Sequence, residues 1–269
     1  MTFGIHTILT DQMIHPAKLG PALAERGFDA LFLAEHSHVP VHTPTEYPTP
    51  DGGVPPIYRR ALDPFVALGV VASVTGKLLL GTGTSLPMQR DPIQTAKEVA
   101  TLDFLSGGRV VFGVGAGWVE EEMRNHGTDP RTRGALLDER LAAMIEIWTN
   151  DEAEYHGKFV DFDPIFAWPK PIQRPHPPIY VGGDSARALA RATRFGGWLP
   201  RAATDPAQVA AQLARAGDVP VIANGVRPQP ELVAAYREAG AGGINFHLPV
   251  LSTDDALRKL DEFAALISS

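Results

Sequence analysis

The sequence predicts an α/β fold, a (β/α)8 TIM barrel in which eight parallel strands alternate with helices. Short apolar runs alternate with helical patterns along the chain, and several of these runs are unbroken, as in strands buried on both faces. No segment has the composition of an interdomain linker, and 269 residues is an ordinary length for one barrel. An open doubly wound sheet is the main alternative, but that fold seldom needs eight regular units. We therefore expect one domain over 1–269.

The first half of the chain supplies four strand-and-helix units. The predicted strands cover 3–8, 29–34, 77–84 and 109–115, and the predicted helices between them cover 16–27, 63–76 and 91–108. The second and third of these helices open with Asp-Pro and close with Gly, which are the usual signals for a helix start and a helix stop.

The second half supplies the other four units. The predicted strands cover 177–183, 196–200, 219–224 and 242–249, and the predicted helices cover 134–150, 185–195, 205–217, 230–240 and 253–266. The long segments 35–60 and 118–177 are then insertions after strands 2 and 4. Both follow the C-terminal ends of strands, which form the catalytic face of a barrel.

Charge and composition exclude several classes of function. The formal net charge of -7 gives no general basic field for nucleic acid or for an anionic membrane. The chain has no cysteine, so disulfides, thiolate metal sites and cysteine nucleophiles are excluded. The N-terminus has no signal-peptide pattern, and no stretch approaches the ~20 apolar residues of a membrane span. We expect a cytoplasmic protein with a small-molecule substrate.

A glycine-rich turn follows the fourth strand, in RVVFGVGAGWVEEEM at 109–123. A dinucleotide-binding fingerprint needs a third glycine where Trp118 stands, and it usually belongs to the first unit of its fold. The glycines that remain allow a backbone to approach a ligand closely, and Trp118 adds a flat apolar surface beside them. A plain tight turn of the barrel is the alternative.

The other strand ends also carry glycines and polar side chains, which a barrel brings to one face. Gly182 and Gly183 stand where a helix begins, and backbone N–H groups there suit an anion, although Asp184 or Ser185 could simply cap the helix. In chain order, the strand-end candidates are Glu35, His36, Thr82, Gly83, Thr84, Ser85, Ala116, Gly117, Trp118, Gly182, Gly183, Ser185, Asn245 and His247.

Two further patterns concern a metal site and an acidic run. His36 and His38 have the spacing of metal ligands at a barrel strand end, but His247 is the one plausible third ligand, so no metal is expected. The acidic run Glu120 to Glu122 is predicted to be a solvated helix start, which the helix dipole favours, with Glu121 the member that could face the pocket.

Five segments of the chain carry a family likeness. The chain resembles the bacterial luciferase-like superfamily, and within it the actinobacterial oxidoreductases that use the deazaflavin coenzyme F420. The resemblance runs over nearly the whole chain and rests on FGIHTILTD, RGFDALFLAEHSHVP, DERLAAMIEIWT, PKPIQRPHPPIYVGGDS and, most specifically, the run from the third strand to VGAGWVEEEM. It implies a TIM barrel that holds a flavin or a deazaflavin at its C-terminal face.

The resemblance also implies roles for the strand-end residues. Glu35 and His36 would lie beside the coenzyme ring, with His36 as the proton donor. Thr82, Gly83 and Thr84 would form a bulge behind the ring, often with a non-prolyl cis peptide, and Ser85 would hydrogen-bond the coenzyme. Its tail and phosphate would lie against Ala116, Gly117, Gly182, Gly183 and Ser185.

Two departures from the family pattern refine this hypothesis. Sugar-phosphate dehydrogenases of the family have a glutamate where Trp118 stands, so that substrate is not expected. The luciferases that bind FMN have an arginine where Ala116 stands, which favours F420 here. We therefore expect an F420-dependent oxidoreductase, with an FMN-dependent monooxygenase and a non-catalytic flavin-binding barrel as alternatives. A homodimer is expected, with the helices at 63–76 and 92–106 as candidate faces.

Overall fold

The computed structural model describes residues 1–46 and 53–267. Its ten strands are β1 (Thr2–Thr7), β2 (Ala30–Leu33), β3 (Leu79–Thr82), β4 (Val110–Val114), β5 (Glu152–His156), β6 (Asp161–Phe166), β7 (Ile179–Gly182), β8 (Gly196–Leu199), β9 (Ile222–Val226) and β10 (Gly243–His247). Eight of them form one parallel sheet in the order β8-β7-β4-β3-β2-β1-β10-β9. Bridges from Trp198 to Val221 and from Arg201 to Asn224 connect the two end strands. The predicted eight-stranded barrel is confirmed.

The helices lie between the strands, as predicted. They are α1 (Pro16–Glu25), α2 (Pro64–Val74), α3 (Pro92–Ser106), α4 (Glu120–Asn125), α5 (Arg133–Thr149), α6 (Ala186–Phe195), α7 (Pro206–Ala216), α8 (Pro230–Glu238) and α9 (Thr253–Ile267). The two Asp-Pro signals mark real helix starts. Asp63 accepts a hydrogen bond from Val66 N at 3.0 Å, and Asp91 accepts one from Gln94 N at 2.8 Å.

The apolar core has two parts. The larger part fills the space between the strands and the surrounding helices. A smaller cluster, which includes Phe32, Val111, Leu199 and Ile222, fills the inside of the barrel. Alternate side chains along each strand point into the barrel. Those at the ends of the strands lie beyond this inner cluster and form the surface of the barrel mouth.

The insertion after β4 contains structure that the sequence analysis did not predict. β5 and β6 pair as an antiparallel hairpin, which packs on α5. Most of its side chains are exposed or half-buried. The hairpin lacks the apolar runs that revealed the barrel strands, and Pro164 within β6 argues against a strand. The insertion after β2 was predicted at 35–60, and its residues 47–52 lie outside the described part of the chain.

Candidate active site

The predicted strand-end residues gather at the C-terminal end of the barrel. Glu35 and His36 follow β2, and the segment 82–85 ends β3. The turn 115–118 follows β4, and the segment 182–185 follows β7. Since β2, β3, β4 and β7 are consecutive neighbours in the sheet, these four groups lie along one side of the barrel mouth.

Glu35 is buried, and protein groups engage both oxygens of its carboxylate. Oε2 accepts hydrogen bonds from Ser85 Oγ and from Leu86 N, each at 2.7 Å, and Oε1 accepts one from Arg90 Nε at 2.5 Å. Arg90 also forms an ion pair with Glu98 on α3 at 2.9 Å. Ser85 has no exposed surface. These contacts tie the residues after β2 to the loop after β3 and fix the positions of the Glu35 and Ser85 side chains.

His36 forms a buried pair with Glu122. Its Nδ1 lies 2.7 Å from Glu122 Oε2, and Glu122 also accepts hydrogen bonds from Ser37 N at 2.9 Å and from Ser37 Oγ at 3.2 Å. Burial would raise the pKa of Glu122, but the hydrogen bonds from His36 and Ser37 outweigh it, and the pKa lies below its usual value. Glu122 is therefore ionised, and a carboxylate can only accept. Nδ1 of His36 must therefore carry the proton in this pair, and Nε2 is the ring nitrogen that Glu122 does not engage.

The prediction that the acidic run Glu120 to Glu122 is solvated is wrong for Glu122. This side chain is fully buried and is the partner of His36. The sequence signal that could have identified Glu122 is the apolar pair Val119 and Met123, four positions apart. Both side chains are buried in the structure and mark the inward face of this turn. Glu122 adjoins that face, but three successive glutamates do not reveal which one turns inward.

Two aromatic rings cover His36. The Tyr58 ring is stacked on the imidazole with centroids 4.6 Å apart and planes 16° apart. Trp118 meets the imidazole edge-on at 5.8 Å and meets Tyr58 at 6.1 Å. Trp118 was predicted at this site, but Tyr58 was not, because Tyr58 comes from a 3-10 turn inside the long insertion after β2. The Tyr58 and Trp118 rings, inclined at 62° to each other, therefore form an aromatic wall beside His36.

The end of β3 has an unusual backbone. The peptide bond between Gly83 and Thr84 is cis, as the resemblance implies. The buried hydroxyl of Thr82 donates a hydrogen bond to a β4 carbonyl at 2.6 Å. The Thr84 side chain fills the space left by two glycines, since a Cβ at Gly115 would lie 2.4 Å from its Oγ1 and a Cβ at Gly182 would lie 2.6 Å from its Cγ2. Three neighbouring strand ends thus meet at one threonine.

His6 presents a buried nitrogen that has no hydrogen-bond partner among the described residues. Its Nε2 lies 2.7 Å from the Gly83 carbonyl, so Nε2 carries the proton and the unpartnered Nδ1 is an acceptor. Burial, reinforced by the neighbouring His247, lowers the pKa of His6 to about 4 despite the Gly83 hydrogen bond. The ring is neutral at pH 7. An acceptor of this kind, beside the cis peptide that follows β3, suits a hydrogen-bond donor of a bound ligand.

The two glycine turns differ in character. Gly117 adopts a φ of 67°, and a Cβ there would lie 2.8 Å from Met123 Cε, so this turn requires glycine. Ala116 and Trp118 on either side are half-buried. At the other turn, Ser185 caps α6 and accepts a hydrogen bond from Ala188 N at 3.1 Å, which is the simpler of the two roles considered for it.

The second histidine of the His36-x-His38 pair belongs to a hydrogen-bonded chain. Its Nδ1 lies 2.9 Å from Ser37 Oγ, and its Nε2 lies 2.8 Å from Asn125 Nδ2. The same Ser37 Oγ lies 2.7 Å from His126 Nε2. Within residues 1–46 and 53–267, no three histidine or acidic side chains lie close enough together to hold a metal ion.

The sequence model of the luciferase-like monooxygenase family matches residues 17–218. The chain belongs to this family. An uncharacterized protein of Mycobacterium tuberculosis (strain ATCC 25618 / H37Rv) is 38% identical over 280 aligned residues, which cover 100% of this chain and 99% of that protein. The FMNH(2)-dependent dimethylsulfone monooxygenase of Pseudomonas putida is 39% identical over 118 residues, which cover 42% of this chain and 32% of that enzyme.

Solved structures share the fold of this family member over its full length. Monooxygenase RslO1 from Streptomyces bottropensis superposes with a TM-score of 0.78 at 20% identity, covering 100% of this chain and 99% of that one. The coenzyme F420 dependent tetrahydromethanopterin reductase from Methanopyrus kandleri has a TM-score of 0.74 at 17% identity, covering 98% of this chain and 97% of that one.

In the described part of this chain, no helix has both the length and the apolar character that crossing a membrane requires.

Proposed function

We propose that this luciferase-like protein is an oxidoreductase that transfers hydride between coenzyme F420 and a small organic substrate. The observation that carries the proposal is the buried pair of His36 and Glu122, with 2.7 Å between Nδ1 and Oε2, beside the wall made by Tyr58 and Trp118. The pair would supply a proton, and the aromatic rings offer apolar surface to a flat ring. The F420-dependent reductase of the same fold supports the coenzyme class.

The residues at the mouth fit such a coenzyme. The unpartnered acceptor of His6 meets the need of a pyrimidine-type ring edge for a hydrogen-bond partner. The segment 82–84 would lie behind the ring, and the turns at 116–117 and 182–185 would hold the tail and phosphate. Ala116 offers no cation for an FMN phosphate, which favours the deazaflavin. When bound, the coenzyme supplies or accepts the hydride.

His36 would move the proton that balances the hydride. In substrate reduction the imidazolium donates a proton from Nε2 to the substrate oxygen, and in oxidation neutral Nε2 accepts it. Glu122 holds the Nδ1 proton in both directions, so the ring keeps one tautomer and one orientation. We propose that Glu35 acts through position rather than by proton transfer, because Arg90, Ser85 and the Leu86 amide already use its oxygens.

An FMN-dependent monooxygenase is the second candidate. It is favoured by the partial match to the FMNH(2)-dependent enzyme of Pseudomonas putida, which has a higher identity than the F420-dependent structure. In that case His36 would serve the oxygenation of a substrate rather than hydride transfer. Oxygen consumption with reduced FMN and a substrate panel discriminates the two candidates.

The first experiment is a fluorescence titration of the purified protein with oxidised F420 and, separately, with FMN. Micromolar binding of F420 alone supports the proposal, whereas a preference for FMN would replace it with the monooxygenase. Once a substrate is found, His36→Asn should lower turnover by a factor on the order of 10² to 10⁴, the range for loss of a positioned proton donor. Full turnover in that variant would rule out His36 as the donor.

We propose that the protein forms a homodimer through α2 and α3. Val74 in the last turn of α2 is 42% exposed, and Phe104 and Leu105 in the last turn of α3 are 56% and 66% exposed. These large apolar side chains lie at the same end of two adjacent helices, and exposed apolar side chains of this kind often mark a protein interface. A second copy would cover both helices, and the sedimentation behaviour of the purified protein tests this.

A further inference from the structure

A cavity of about 550 Å³ opens beside the Gly182–Ser185 turn. The loop after β8 and one face of α7 form its walls, and Asp184 belongs both to the turn and to the cavity lining. Its volume falls within the range of small-molecule pockets, and it is larger than a phosphate needs. The cavity therefore extends the candidate coenzyme site beyond the place proposed for the phosphate.

Hydrogen bonds to a buried tyrosine fix the wall of this cavity. Tyr236 accepts a hydrogen bond from Ala203 N at 2.7 Å and donates one to Gln212 Oε1 at 2.8 Å. Gln212 in turn donates from Nε2 to the Arg201 carbonyl at 2.8 Å. Residues 201 to 203 and the middle of α7 are therefore held together before any ligand arrives, which lowers the entropy cost of binding.

Two guanidinium groups and one carboxylate line the cavity. Arg201 engages both oxygens of Asp184, through Nε at 2.6 Å and through its backbone N at 3.0 Å. Arg215 donates to the Asp184 carbonyl at 3.0 Å and lies over the Trp198 ring at 5.4 Å. Two arginines against one aspartate leave the lining with one more positive than negative charge, in a protein whose overall charge is -7.

We propose that this cavity binds the carboxylate-bearing tail that distinguishes the deazaflavin coenzyme from FMN. FMN ends at its phosphate, whereas the deazaflavin continues into a chain of carboxylates. Arg201 and Arg215 match that charge, and the rigid wall lies where a chain leaving the 182–185 turn would arrive. The inference rests on the proposed coenzyme and deepens that proposal, since it identifies the cavity with Arg201 and Arg215 as the part of the chain that distinguishes F420 from FMN.

The test compares two forms of oxidised F420, one with an oligoglutamate tail and one without glutamates, by fluorescence titration at low salt. The wild-type protein should bind the tailed form on the order of ten-fold more tightly, the equivalent of one charge-assisted hydrogen bond. In Arg215→Gln the ratio of the two dissociation constants should fall toward one. Added salt should reduce the ratio in the wild type, because the contact is ionic.

Arg194→Gln is the matched control. Arg194 is an exposed arginine on α6, and it lies over Phe195 rather than in the cavity, so the variant should keep the wild-type ratio. Equal binding of the two forms by the wild type would overturn the tail assignment and leave the coenzyme proposal intact. Failure of both forms to bind would overturn the proposed function and this inference together. If the two forms bind equally but free tri-γ-glutamate still binds in an Arg215-dependent way, the cavity serves another carboxylate ligand and the tail assignment falls.

Discussion

Replacement of Glu122 by glutamine tests the pair at the centre of the proposed site. Glutamine has nearly the shape of glutamate, so packing is kept while the charge is removed. Its carbonyl can still accept from Ser37, but its NH₂ group would face the Nδ1 proton of His36. The imidazole must then place its proton on Nε2 or lose the hydrogen bond. Either change alters the nitrogen that we assign to proton transfer.

The expected loss follows from the contacts that change. A hydrogen bond to a charged group contributes about 1.5–3 kcal/mol, and the contact from His36 to Glu122 is of this kind and fully buried. Because the Ser37 contacts survive in the variant, we expect Glu122→Gln to lower the free energy of unfolding by about 2–3 kcal/mol at pH 7. Turnover should fall by on the order of 10²-fold, the lower end of the contribution of a positioned acid or base.

Urea unfolding and proton NMR provide the assays. The folded pKa of Glu122 lies below its reference value of 4.5, so its contribution is complete above that value and is lost as the pH falls through the folded pKa. The stability gap between wild type and variant should therefore be largest near pH 7 and should narrow below pH 4.5. A far-downfield Nδ1 proton resonance should be present only in the wild type.

Glu120→Gln is the control for this experiment, because Glu120 forms an exposed pair with Arg124. It should change stability by less than about 0.5 kcal/mol. If Glu122→Gln behaved like this control in stability, spectrum and turnover, the carboxylate would not be holding His36, and our assignment of the tautomer would be refuted.

Three further predictions concern other parts of the molecule. Gly117→Ala, with a positive φ and a Cβ 2.8 Å from Met123 Cε, should lower the unfolding free energy by about 1–3 kcal/mol, measured by chemical denaturation; an unchanged midpoint would contradict it. Below pH 6.5 the unfolded chain binds a proton at His6 that the folded protein does not bind until about pH 4, so the free energy of unfolding should fall as the pH drops over this range. His6→Asn should flatten this part of the plot of unfolding free energy against pH, and an unchanged slope would argue against the prediction. Leu105→Glu should convert the dimer to monomer in sedimentation velocity while Val41→Glu, at a 93% exposed loop position, should not; a monomeric wild type would exclude this interface.

The barrel was predictable because each unit carries its own local signals. The Asp-Pro starts at Asp63 and Asp91 fix two helices, and unbroken apolar runs fix the buried strands. The hairpin of β5 and β6 was not predictable in the same way. Its side chains lie largely at the surface, so neither strand carries an apolar run, and Pro164 interrupts the alternation of β6. Strand pairing there depends on contact with α5 rather than on local preference.

The site was only partly predictable. His36 could be placed because it comes shortly after a strand, and the barrel determines where strand ends meet. Its partner Glu122 and its stacking neighbour Tyr58 come from the two long insertions, whose paths depend on tertiary packing. The position of Ser85 after the third strand was predictable from the sequence. Its hydrogen bond to Glu35 was not, because strand spacing does not show which side chains contact each other.

The contact of Thr84 with Gly115 and Gly182 has an evolutionary consequence. A methyl group added at either glycine would collide with the threonine side chain, so neither position can enlarge while Thr84 stays. Substitutions at the three sites should then be strongly non-additive, with a smaller residue at 84 rescuing alanine at 115 or 182. During evolution, a larger residue at either glycine would require a compensating substitution at Thr84, so these three positions are expected to change together.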